Sequence, residues 1–208
     1  MWARHPESAG SSPYAAVVAM HGNPNEAPEE FLQVVARLRA TRVRPEVVID
    51  EVPAPQRIAP FSLALSAEAM AGDEETATGR FVLLHDPSAP GAWAGTYRIV
   101  TFVRAELESE VGADPMLGQV GWSWLEEALA AGRVTYTAAG GTVTRIISES
   151  FGSLSDRAAT AEIEVRASWT PLDDPALHLQ AWANLLCTVA GLPPLPPGVS
   201  ALPRRRGG

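Results

Sequence analysis

Four histidines, one cysteine and no lysine are what this sequence offers to chemistry, and their spacing serves it poorly. His85 and Asp86 stand together as a histidine–aspartate metal pair would. Such a site needs further imidazoles, and His5, His21 and His178 fall in a tail, a loop and a helix. With no HExxH or CxxC pattern, no metal ligand and no cofactor is expected. A serine nucleophile is not announced by GxSxG. The polar run Ser148-Glu149-Ser150-Phe151-Gly152 has no histidine beside it in the sequence. Asp114 and Asp174 form a tempting pair of carboxylates, but each precedes a proline at a helix start, where capping explains it. Gly140-Gly141 is too short to cradle a phosphate and reads as a hairpin turn. No catalytic residue is assigned.

The cations narrow the field further. All 16 basic residues are arginine, which removes lysine Schiff-base chemistry and the lysine of a phosphate loop. A net charge of −8 disfavours direct nucleic-acid binding. No apolar run reaches the roughly 18–20 residues of a membrane span, and Tyr14 to Met20 is too short and lacks a basic lead. Cys187 lies alone in an apolar helical stretch and reads as a buried thiol, consistent with a cytoplasmic location.

The elements that position these residues predict an α+β fold: an antiparallel sheet with helices on one face, made of a duplicated βββα unit behind an N-terminal helix. Residues 1–25 read as a disordered or external extension, 26–191 as one domain, and 192–208 as a Pro-rich strap with a basic tail. The first helix runs from Glu26 to Ala40, with Phe31, Leu32, Val35 and Leu38 at helical spacing. Strands are expected from Phe61, over Arg80–Asp86 and over Thr96–Glu108, with an acidic loop over Met70–Gly79. A helix follows to about Ala131. Strands over Arg133–Ala138, Thr142–Ser150 and Ala159–Trp169 and a helix to about Ala190 repeat the order. Pseudo-repeats over about 58–131 and 133–191 carry this pattern in residues too. Asp114, Pro115, Leu117, Trp122 and Leu125 match Asp174, Pro175, Leu177, Trp182 and Leu185 at an offset of 60.

Alternation divides the sheet into two faces. Ile99, Val103, Ala105 and Ile163, Val165, Ala167 turn to the helices, while Arg104, Glu106 and Arg166 turn to solvent. On that outer face Val82, Leu84, Val100 and Phe102 are expected to form an apolar patch. Arg44 and Arg57 mark a proline-flanked arm over Arg42–Arg57, a second candidate contact surface.

Several strings carry a family resemblance. They are Arg44 to Val48 (RPEVV), Pro53 to Arg57 (PAPQR), Thr78 to Pro87 (TGRFVLLHDP), Val100 to Leu107 (VTFVRAEL), Val120 to Leu125 (VGWSWL), Ala167 to Pro171 (ASWTP), Trp182 to Cys187 and Gly191 to Leu195 (GLPPL). Over about residues 28–206 the chain resembles domain-of-unknown-function family 3000, an uncharacterised family of GC-rich bacteria. The resemblance implies no activity. It implies a gene neighbourhood with ribonuclease D and hence a context in RNA metabolism.

Three functions follow as expectations. The first is a non-enzymatic binding or adaptor protein that presents the open sheet face to a protein partner or a second protomer, with no membrane role. The second is an accessory factor in RNA metabolism. The third is an enzyme with a cleft between the repeats.

Overall fold

The computed structural model describes residues 20–21 and 26–194. The N-terminal extension, apart from Met20–His21, and the chain beyond residue 194 lie outside the described residues. The fold is α+β: one antiparallel sheet with the long helices on one face.

Helix α1 (Glu29–Ala40) begins behind Pro28, with Glu29 and Glu30 in its first turn and Arg37 and Arg39 in its last, charges that complement the helix dipole. Its Phe31, Val34, Val35 and Leu38 make one buried stripe. Strand β2 (Val47–Val52) then pairs with β3 (Phe61–Ala71), and β1 (Met20–His21) pairs with the other end of the same edge. The acidic stretch expected as a loop is instead a tight hairpin. β3 turns at Gly72, whose φ is +69°, straight into β4 (Glu74–His85). Its polar side chains obscured the alternation because this end of the hairpin is wet on both faces.

β4 pairs with β5 (Tyr97–Leu107), as expected of neighbours joined by Pro87 to Gly95. A short helix α2 (Ser109–Gly112) and helix α3 (Leu117–Ala131) lead to the far edge, β6 (Tyr136–Ser148). β7 (Thr160–Pro171) returns between β5 and β6, and α4 (Pro175–Val189) closes the fold. The order across the sheet is β1 and β2 end to end, then β3, β4, β5, β7, β6.

The start of α4 follows the sequence logic, whereas α3 begins at Leu117 behind Met116, two residues later than Asp114-Pro115 leads one to expect. Asp174 caps α4 by accepting from the Ala176 N–H at 3.1 Å, with Pro175 in the first turn. Asp114 accepts from the Met116 N–H at 2.8 Å and so holds the turn ahead of α3 without being its N-cap. α4 ends with Gly191 at φ +71° and a Leu192 N–H to Cys187 carbonyl bond, and Leu192 packs on the core.

The hairpin expected around Gly140-Gly141 does not form. Both glycines lie within the single strand β6, which is bulged between Thr137 and Gly140, with Ala138 at φ +51°. Two strands, not three, therefore separate α3 from α4. Gly141 is required for space. A methyl group there would run into the Arg166 carbonyl and come 2.8 Å from Trp122 Cζ3. At Gly79 on β4 it would come 2.6 Å from Trp182 Cζ2. Each helix thus lays its tryptophan on a glycine of the strand pair that precedes the other helix.

The core fills the helix side of the sheet. Leu63, Leu65, Phe81, Leu83, Ile99, Val103, Ile163, Val165 and Trp169 meet Phe31, Leu125, Leu129, Trp182, Leu185 and Leu186. Each such side chain, removed from water, contributes about 1.5–3 kcal/mol.

Candidate functional site

The other sheet face is read from the strand registers. Three rows of side chains cross β4, β5, β7 and β6: Leu84, Arg98 and Thr170; Val82, Val100, Ser168 and Gly140; Arg80, Phe102, Arg166 and Thr142. The second and third rows line a groove of about 510 Å³ on this face. Gly140, where a Cβ would meet nothing, leaves its β6 side low.

The expected apolar patch is only half open. Val82 and Leu84 are buried, 7% and 3% exposed, because they cluster with Ala59 and Ala64 beneath Val52, Ala54 and Trp93. The segments that join β2 to β3 and β4 to β5 fold back over that end of the sheet. No strand pattern reveals this, since the covering residues lie in loops. Val100 remains 39% exposed, and Phe102 is half-buried under the Arg166 guanidinium, 5.3 Å from the ring centroid.

At the charged end, Arg104 pairs with Glu162, Arg166 with Glu164 at 2.6 Å, and Glu106 is exposed. Arg44 is not a contact residue. It is buried, bonded to Glu46 at 3.0 Å and to the Pro193 carbonyl at 3.0 Å, so it ties the arm to the segment that follows α4. The pair with Glu46 raises its pKa and lowers that of Glu46. Arg57 is exposed, at φ +69° in the loop between β2 and β3.

Three groove elements escaped the sequence reading: Arg80, Arg98 and the glycine pair. The even numbering that puts Val82 and Val100 on this face also puts Arg80 and Arg98 there, so the signal was present. Arg80 is exposed, and it makes no hydrogen bond or ion pair among the described residues. Arg98 donates to Ser168 Oγ at 2.7 Å, to Thr170 Oγ1 at 3.2 Å and to the Ala138 carbonyl at 2.9 Å. Burial lowers its pKa, and every one of these partners is uncharged.

Residues 27–200 match the family described as "Protein of unknown function (DUF3000)". The chain belongs to that family. No curated protein and no solved structure matches it significantly. The family match spans every helix and strand but β1, so the groove, its arginines and both tryptophan–glycine contacts lie inside it.

The buried imidazoles belong to the core. His178 accepts from the Trp169 indole N–H at 3.0 Å through Nδ1 and donates through Nε2 to Asp173 at 2.6 Å. Asp173 in turn accepts from the Thr135 N–H at 2.6 Å, so the chain of bonds joins β7, α4 and the strand entry. His85 stacks between Phe31 and Tyr97, with ring centroids 5.4 and 4.4 Å away, and its Nδ1 lies 3.2 Å from the Thr96 carbonyl. Glu30 is 3.5 Å from Nε2, which has no hydrogen-bond partner. Burial lowers the pKa of both histidines, so both are neutral at pH 7. The same desolvation pushes Tyr97 up to about 12 and the Cys187 thiol to about 11, which keeps the cysteine unreactive. Among the described residues no group of three His, Cys, Asp or Glu side chains is placed to hold a metal ion.

Proposed function

We propose that this protein is a non-enzymatic binding or adaptor protein that works through its open sheet face. The observation that carries the reading is the groove: an apolar floor of Val100 and Phe102 left open to water. Leaving such surface in water forgoes about 25 cal/mol per Å² of burial. The groove offers arginines and the hydroxyls of Thr142 and Ser168 but no histidine, cysteine or carboxylate at its lining. That set holds a ligand; it does not move protons at neutral pH.

The salt-bridged end, Arg104 with Glu162 and Arg166 with Glu164, forms a polar rim. The same pairs weigh against an RNA-linked role by direct contact, because they interrupt the arginines with carboxylates. No described helix is long and apolar enough to cross a membrane.

The test is Val100→Glu combined with Phe102→Glu. Partner capture is abolished, and the thermal midpoint stays close to the parent's because neither side chain belongs to the helix-side core. A double variant that simply unfolds refutes the reading. Self-association through the β6 edge, where Ile147 and the α3 N-cap Met116 are each 51% exposed, is the competing outcome. Light scattering on the same double variant, which leaves that edge intact, separates the two.

A further inference from the structure

The open-face groove holds more positive charge than its acidic chain suggests. Arg80 and Arg166 stand on either side of Phe102, in one row across β4, β5 and β7. At the usual strand spacing their Cα atoms are about 10 Å apart. Arg166 is answered by Glu164. Arg80 has no partner among the described residues, and Arg98, at the next row but one, has only neutral acceptors. The groove therefore carries one unanswered guanidinium, Arg80, across Phe102 from the Arg166–Glu164 pair, in a chain whose net charge is −8. An anion brought to the exposed Arg80 can form a charge-assisted hydrogen bond there, beside the apolar floor.

Hydroxyls add direction. Ser168 Oγ already accepts from Arg98, which leaves its own O–H free to donate into the groove that it lines. Between these polar groups lie the exposed Val100 and the ring of Phe102, with Gly140 leaving room at the β6 side. The volume, about 510 Å³, is that of a small-molecule site.

We infer that the groove binds a small organic anion, an aryl or acyl carboxylate, with its apolar body on Val100 and Phe102 and its charge beside Arg80 and Ser168. This rests on the reading of the open face as a binding surface and names what that surface selects. A cation of the same shape would meet the guanidiniums of Arg80 and Arg166, and a neutral analogue would leave Arg80 unanswered.

The experiment titrates ¹⁵N-labelled protein with three probes of one shape: 2-naphthoate, 2-naphthol and 2-naphthylmethylammonium. Naphthoate is expected to shift the amides of Val100, Phe102, Gly140, Gly141 and Ser168 and to bind about tenfold tighter than naphthol, with the ammonium weakest. Arg80→Gln, at an exposed and unpartnered position, should remove most of that preference and leave naphthol binding unchanged. Equal binding of naphthoate and naphthol, or no effect of Arg80→Gln, overturns the anion assignment and leaves the binding surface standing. No shift at the groove with any probe overturns both. Tighter groove binding by acetyl-Asp-Leu-Glu-Phe-amide than by naphthoate gives the site to an acidic protein segment and overturns the small-ligand assignment.

Discussion

Trp122 on α3 and Trp182 on α4 each lie on a glycine of the strand pair that precedes the other helix, yet they are not equals. Trp182 is fully buried. It touches Gly79, tilts against Phe81 with centroids 5.7 Å apart, and leaves its indole N–H without a partner. Trp122 is half-exposed, touches Gly141 and donates to Glu126 at 2.9 Å. The neighbours decide the difference. α4 crosses the middle of the sheet between α1 and α3, whereas α3 lies over its β6 margin with solvent on one side. Each tryptophan covers a glycine, and the second layer sets how deeply.

The widest gap between the two sites should appear on truncation. Trp182→Ala costs about 3–5 kcal/mol, as large-to-small changes in a core do. Trp122→Ala costs less, about 1–2 kcal/mol, since Trp122 is only partly buried. Urea denaturation with a common slope measures both, and equal losses would break the comparison.

The glycines sharpen it. Gly79→Ala should cost about 1–3 kcal/mol through overpacking. The obstacle is mainly the Trp182 ring, so in a Trp182→Phe background the cost should fall below half. At Gly141 the obstacles include the Arg166 carbonyl and the Ala167 Cα, both backbone, so Trp122→Phe should leave the cost of Gly141→Ala almost whole. A double-mutant cycle at each pair reads the coupling. Strong coupling at Gly141 would contradict the geometry.

The smallest effects lie at the helix ends. α4 ends with Gly191 in the left-handed region. α3 ends with the same pair of backbone bonds, from the Arg133 and Val134 N–H groups, but Arg133 takes that conformation at φ +53°. Arg133→Gly should therefore stabilise by about 0.5–1 kcal/mol, and Gly191→Ala should destabilise by about 1 kcal/mol. Thermal midpoints moving in opposite directions are the expected result.

Much of this fold was legible in the residues. Alternation in Tyr97–Leu107 and Thr160–Pro171 put the correct side chains on each face, and Asp174-Pro175 marked the start of α4. The open face was legible only in part. Val82 and Leu84 alternate like Val100, but a loop carrying Ala59 and a turn carrying Trp93 return over them, and tertiary return has no local period. Gly140-Gly141 misled for a different reason. A glycine pair signals either a turn or a place where another group must come close, and only the position of Trp122 separates the two.

The crossed placement of the tryptophans bears on how the chain leaves the ribosome. Gly79 is made early, and the ring that fills the space above it arrives on the order of a hundred residues later, with α4. Until that helix emerges, the central strands present an uncovered apolar face with a vacant notch, and the closing contacts are long-range. Synthesis therefore delivers a nearly complete sheet that stays vulnerable to mispairing until its last helix seals it.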